Sequence, residues 1–426
     1  MKMQILKYEM KKILCKRSAI ISLIVLGVYL GSSIFSSVQA TWADVADAAG
    51  NGISGIKAIN LVKNEKMKWN GIVTEKFIGN IIKENHEINS DSKYAGIPKS
   101  GTHLSKSDTQ LLNMQFYQKQ GFMDIQALIT DSYCKIHFYD YDIIDSLKVD
   151  DASRFYSNRV DYLKKFLASE EANRLTKNEN EYLINSAQTL ITPLKYSYAD
   201  GWMNALEKSA TVIFALSFVV CILMAPIFSV EYQTGSDVIL LTTEHGKKKG
   251  IVYKLFAGLL STSLVYWITI CVVFGFIFMI FGFEGGDSQL QASSYGWKSF
   301  YHITNSEALL MVLLLGYVGC LFIGSLTMFL SSKVKTSFAT IILIVLIIMV
   351  PSTIDQFLIQ GSFWDKILNM LPSQMLLGWK LLQTYTLYDF GGKVITPYQL
   401  LPVLYGIFAS LLLPFAYRAF RKHQVA

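Results

Sequence analysis

Charged side chains are almost absent from six long stretches of this 426-residue sequence. That scarcity leaves no proton relay and no fixed ion site visible inside them, and it disfavours coupling to an ion gradient. The five cysteines, Cys15, Cys134, Cys221, Cys271 and Cys320, include no CxxC pair, so neither a thiol redox motif nor a structural zinc knuckle is written here. A phosphate loop is missing as well. Gly96 and Gly101 have the right spacing, but Thr102 and His103 follow where Lys and Ser or Thr are required. His86 and Glu87 open like a zinc-protease helix without its second histidine, and His137 with Asp140 is two ligands where a metal site takes three or four. There is no internal repeat and no low-complexity tract. No catalytic, cofactor-binding or metal-binding residue is therefore expected in this chain.

What is present is blocky hydrophobicity. Ser18 to Val38, Ala210 to Val230, Ile251 to Phe283, Ala308 to Leu330, Phe338 to Ile354 and Leu400 to Tyr417 are each near or above the ~17 apolar residues needed to cross a bilayer. The first run is longer than the ~7–15-residue core of a signal peptide, so an anchored span is preferred over a cleaved leader. Between the first two runs, residues 40–208 are polar and read as a domain in water. The fold expected is an all-α polytopic membrane protein: six transmembrane helices, an N-terminal interfacial helix over residues 1–17, a large and mainly helical extracytoplasmic domain over 40–208, and a five-helix region over 210–421. Re-entrant or interfacial helices are expected at 355–396.

The net charge of +7 gathers beside the apolar runs and not on one soluble face, so it speaks for membrane topology and against nucleic acid. Lys2, Lys7, Lys11, Lys12, Lys16 and Arg17 precede the first run. Lys247 to Lys249 and Lys254 sit between the second and third, Lys333 and Lys335 between the fourth and fifth, and Arg418, Arg421 and Lys422 at the end. Every alternate connection is basic, which places both termini in the cytoplasm of a cell, by expectation bacterial, with the chain in its plasma membrane.

In the domain over 40–208, Thr74 to Glu84, Ser153 to Leu167 and Asn180 to Ile191 have helical periodicity, with Asp150 and Asp151 as capping candidates and Pro193 as a stop. Ile136 and Phe138 alternate with Lys135 and His137 as a short strand would, and Gly96 to Ser107 reads as a mobile loop. Met3, Leu6, Met10 and Ile13 form the apolar stripe of the interfacial helix. Trp42, Trp202, Trp364 and Trp379 are expected at the membrane boundary. Gly27 and Gly31, and Gly316, Cys320 and Gly324, recur at four-residue spacing, allowing close helix approach, expected mainly within one subunit.

The most informative connection runs from Glu231 through Gly235 to Val238, Ile239, Leu240 and Leu241 and on to the lysines at 247–249. Glycine permits a sharp turn, and the apolar run beyond it needs a surface to bury against. In this order of Glu, Gly and short apolar helix after the second span, with Lys254 near the start of the third, the sequence resembles the ABC type-2 family of transporter permeases. The resemblance covers the topology of residues 1–17 and 210–421. It implies a coupling helix at 233–246 that docks on a separate ABC ATP-binding subunit, which carries the ATP and Mg, and a second permease subunit, identical or related. The expected activity is export of a peptide, for example an antimicrobial peptide, or of a lipid-like substrate. The alternative is a membrane receptor or assembly factor whose outer domain binds a ligand without transport.

Overall fold

The computed structural model describes residues 2–40, 45–95, 104–173, 175–243, 246–354 and 363–422. Trp42, Gly96, Gly101, Thr102, His103 and most of the expected mobile loop lie outside them, as does the side chain of Met3. The chain is mostly helical, and six helices are long and apolar enough to cross a membrane: Arg17–Gln39, Asp200–Thr234, Gly246–Phe281, Asn305–Ser331, Ser337–Ile354 and Pro397–Arg421. They are called hydrophobic helices 1 to 6 below. In hydrocarbon every backbone N–H and C=O must be satisfied within its own segment, which is why such sequences fold as helices. This is a multi-pass membrane protein.

Helices 2 and 4 are the centre of the bundle, with 67% and 61% of their most apolar windows buried, against 22%, 17% and 22% for helices 1, 5 and 6. The central seam is made by small residues. A Cβ on Gly316 would collide with Ile213, Cys320 is fully buried, and Gly324 lies against Val220 and Thr262. Gly27 and Gly31 differ from the expectation of packing within the subunit: nothing lies within 4 Å of where their Cβ atoms would be, and they line a groove of about 270 Å³ between helices 1 and 3. Helix 1 meets its neighbours through Leu26 and Leu30 instead, which leaves the glycines uncovered.

Several boundaries move. Helix 2 starts at Asp200, so the expected division at 208 falls inside a helix; Glu207 and Lys208 mark the surface and not a break, because Ala205, Leu206 and Ser209 around them are buried. Helix 6 begins at Pro397, where Thr396 and Gln399 form a capping box. In the connection before it, Pro372–Leu376 is a short helix whose Met375 packs on Gly319, near the middle of helix 4, so the chain re-enters the bundle there. The all-α expectation also misses two small antiparallel pairs, Gly71–Ile72 with Lys195–Tyr196 and Tyr388–Phe390 with Lys393–Ile395, the latter turning on Gly391 and Gly392 at φ +62° and +96°.

The segment between helices 1 and 2 is helical, with six α-helices at Ile56–Met67, Glu75–Ser90, Lys106–Lys119, Met123–Tyr133, Phe155–Leu167 and Lys177–Thr189 among the described residues. Thr74 caps the second of these through its side chain, and Asp151 accepts from the Lys148 N–H at 2.7 Å. The strand expected around Ile136 and Phe138 is instead a turn with a single bridge between Lys135 and Phe138, and His137 stands at φ +64°.

This segment does not stand alone. Trp297, from the connection between helices 3 and 4, is inserted into its core beside Phe155, and Arg159 donates to the Trp297 and Ser299 carbonyls at 2.8 Å each. Thr176 and Asn178 hold Asp389 of the third connection at 2.8 Å each. The three connections after helices 1, 3 and 5 are thus one body at one end of the bundle.

Gly316→Leu is expected to destabilise the protein by ~1–3 kcal/mol, as overpacking does, whereas Gly31→Leu leaves the thermal midpoint of the detergent-solubilised monomer unchanged. Thermal unfolding of both variants checks the contrast.

Candidate functional site

The opposite end of the bundle carries the residues singled out by the resemblance. Helix 2 breaks at Pro226, whose ring cannot donate to the helix ladder. The first-turn N–H groups that this break orphans, those of Phe228 and Ser229, both donate to the Ser331 hydroxyl at 3.1 Å, and Ser331 in turn donates to the Ala225 carbonyl at 2.6 Å. A side chain at the end of helix 4 therefore caps a break in the last third of helix 2. Tyr232 extends the same clamp by donating to the Ser332 carbonyl at 2.7 Å.

Beyond the break, Pro226–Thr234 ends at Gly235, which adopts φ +66° and turns the chain into a separate helix, Ser236–Thr242. Within the expected coupling helix at 233–246, residues 244 and 245 lie outside the described ones; among the rest, Gly235 is left-handed, Ser236–Thr242 is the helix, and Thr243 is extended. Its apolar run is divided between two faces. Leu241 is buried in the bundle core and Leu240 is half-buried against it, while Val238 and Ile239 are 39% and 71% exposed. Only the latter two face away from the chain's own core.

Glu231, just before the turn, is buried among cations. Its carboxylate receives Lys254, at the start of helix 3, at 2.6 Å and Lys12, on the N-terminal helix, at 2.7 Å; Lys254 also reaches Glu9 at 3.4 Å. Lys254 is 3% exposed and would be costly to bury without this partner. Partial burial works against the charge of Lys12, but the hydrogen bond and charge of Glu231, with Glu9 behind, outweigh it and raise the Lys12 pKa above the usual ammonium range. Two carboxylates and two ammoniums thus hold three elements together: the N-terminal helix Lys2–Leu14, the end of helix 2 and the start of helix 3. In the sequence, Lys12 is one of several topogenic lysines. Nothing in the local pattern separates it from Lys11, because its role depends on a contact 219 residues away.

The apolar stripe of the N-terminal helix turns toward the bundle, with Ile13 buried and Leu6 and Met10 half-buried against its core. Beside it opens a cavity of about 370 Å³ lined by Lys11, Lys12 and Lys16 on one side and Leu223, Ile227 and Val230 on the other. Of the expected boundary tryptophans, Trp202 is half-buried and donates to the Phe283 carbonyl at 2.9 Å, Trp364 is 63% exposed, and Trp379 is buried within the core.

Glu231→Gln strands Lys254 with only the longer contact to Glu9, and is expected to cost ~3–5 kcal/mol of stability. Lys12→Gln, at a half-exposed partner, costs less than about 1 kcal/mol. Equal losses in thermal unfolding would contradict this assignment. Comparison with protein families, with curated proteins and with solved structures gives no match to this chain.

Proposed function

We propose that this chain is the permease subunit of an ATP-driven ABC exporter of the type-2 class, with both termini and the Glu231 cluster in the cytoplasm and the body formed by the three connections outside. The observation that carries the reading is the helix Ser236–Thr242, which presents Val238 and Ile239 outward while Glu231, five residues before its start, is locked by ion pairs to helix 3 and to the N-terminal helix. A push on such a helix is transmitted. Gly235 gives the short helix its own direction, and the buried ion pair makes helices 2 and 3 follow as one body, as rigid-element switching requires. ATP and Mg belong to a partner ATPase that docks on Val238 and Ile239 and is drawn by the lysines at 247–249.

A second permease subunit completes the assembly, and the uncovered face of helix 1 around Gly27 and Gly31 is the small-residue surface offered to it. Cargo crosses a path with almost no charged side chains, which suits peptide or lipid-like molecules better than ions. A receptor or assembly factor needs neither an exposed apolar helix on the inner side nor a rigid link from it to two other helices.

Val238→Asp with Ile239→Asp is expected to abolish co-purification of the ATPase and ATP-dependent transport while leaving the chain in the membrane at wild-type level; undiminished co-purification rejects the docking assignment. Sidedness is read separately. Lys248→Cys should add reactivity toward a membrane-impermeant maleimide, over that of the unchanged chain with its five free cysteines, only after cells are opened, and added reaction in intact cells would reverse the topology.

A further inference from the structure

A large cavity lies at the other end of the molecule from the Glu231 cluster. It encloses about 710 Å³, within the ~300–1,000 Å³ of ligand pockets. Its walls come from the segment between helices 1 and 2, from the first two turns of helix 2, and from the connection leading into helix 4. Asp124, Asp200 and Glu207 face it, as do the side chains of Tyr139 and Tyr141, which pack edge to face at 4.8 Å, and Tyr295.

One cation already sits in this wall. The Lys66 ammonium lies 2.9 Å from both Asp124 and Asp200, and although burial works against its charge, the two carboxylates raise its pKa well above the usual value. Lys66 shows what the wall accepts: an alkylammonium whose stem is covered and whose head is shared between carboxylates. It neutralises one of three acids. Glu207 lies next to Tyr295 and makes no ion pair with a lysine or arginine among the described residues.

An independent observation points the same way. Ser288 and Asn305, 1% and 2% exposed, both line the cavity, and the Ser288 Oγ and Asn305 Oδ1 have no hydrogen-bond partner. The Asn305 amide nitrogen is already committed to the Gly285 carbonyl at 2.9 Å, so the group left over is an acceptor. Buried polar atoms without partners are uncommon in folded proteins and cost free energy unless something supplies the missing bond. Spare acceptors, a carboxylate without a cationic partner and electron-rich aromatic faces together call for a ligand rich in N–H donors and positive charge. A bare metal ion fits less well, since no group of three His, Cys, Asp or Glu side chains among the described residues converges to hold one.

We propose that this cavity is a binding site for an organic cation, an ammonium or guanidinium on an apolar stem, seated between Glu207, the tyrosines and the free acceptors of Ser288 and Asn305. The same chemistry is carried by the Lys and Arg side chains of a peptide and by a free polyamine. The site is a property of the cavity and holds whether the chain exports, senses or assembles.

The test uses the purified full-length chain in phosphatidylcholine nanodiscs, without any ATPase. Fluorescein-labelled tetra-arginine is titrated with tetra-glutamate as the control, and spermine is used as competitor. Saturable binding of tetra-arginine and none of tetra-glutamate is expected. Glu207→Gln and Tyr141→Leu should each weaken binding by about tenfold, with thermal midpoints checked to show that both variants stay folded. Ser288→Ala removes only an unpartnered hydroxyl and serves as a second variant that should weaken binding without loss of fold. Displacement by spermine assigns the site to the cation in general, and failure of spermine to compete assigns it to peptides. Absence of saturable binding, or equal affinity in the wild type and in folded Glu207→Gln and Ser288→Ala, overturns the proposal.

Discussion

Solvation of the backbone by hydrocarbon is the constraint from which the rest follows. A chain that cannot hydrogen-bond to its surroundings must close every bond inside its own helix, and any interruption has to be repaired by a neighbour. Pro226 is such an interruption. Its repair by Ser331 joins helix 2 to the end of helix 4, and Tyr232 joins them again one turn later. The two central helices are thereby linked through polar groups as well as through the glycine seam at Gly316 and Gly324. Around this pair, helices 1, 5 and 6 contribute less to the core and keep broad apolar faces free.

The two ends of the bundle solve different problems. At one end, three connections widely separated in sequence share a core, with Trp297 as the wedge and Arg159 fastening its backbone. The first connection supplies most of that core itself, Ala292 and Trp297 of the second join it, and Phe300 and Leu387 pack with Leu163, Leu183 and Ala187 in a smaller cluster that draws on all three. At the other end, order comes from charge. Glu231 and Lys254 pair where water is scarce and Lys12 joins them from the solvent side, and such a cluster favours one relative placement of three helices over any placement that leaves a charge stranded. An electrostatic clamp at one end and a packed cap at the other leave the middle of the bundle, where Pro372–Leu376 re-enters beside Gly319, as the place where both influences meet.

Legibility in the sequence followed range. The six apolar runs were visible because the hydrophobic signal is local and additive over about 20 residues. The capped helices after Thr74 and before Pro193 were visible for the same reason. Lys106–Lys119 was hidden because its apolar residues do not gather on one face, and Ile56–Met67 because only Ala58, Ile59 and Val62 are buried. The boundary near 208 was misplaced because Glu207 and Lys208 look like the edge of a polar domain, although buried neighbours carry the helix through them. Gly235 could be read as a turn, but the division of Val238 to Leu241 between an inner and an outer face could not, because that depends on which side of a seven-residue helix the bundle lies.

By itself, then, the sequence determined the number of hydrophobic helices, the basic character of every second connection and the position of the break after helix 2, since each is decided by composition within one or two turns of chain. Only the tertiary structure decided that Glu231 would be shared by Lys12 and Lys254, that Gly27 and Gly31 would be left open while Gly316 was filled, and that Asp124, Asp200, Glu207 and Asn305 would line one cavity. Those facts are distances between residues tens to hundreds of positions apart, and a pattern of periodicity or charge carries no information about which distant partner a side chain will meet.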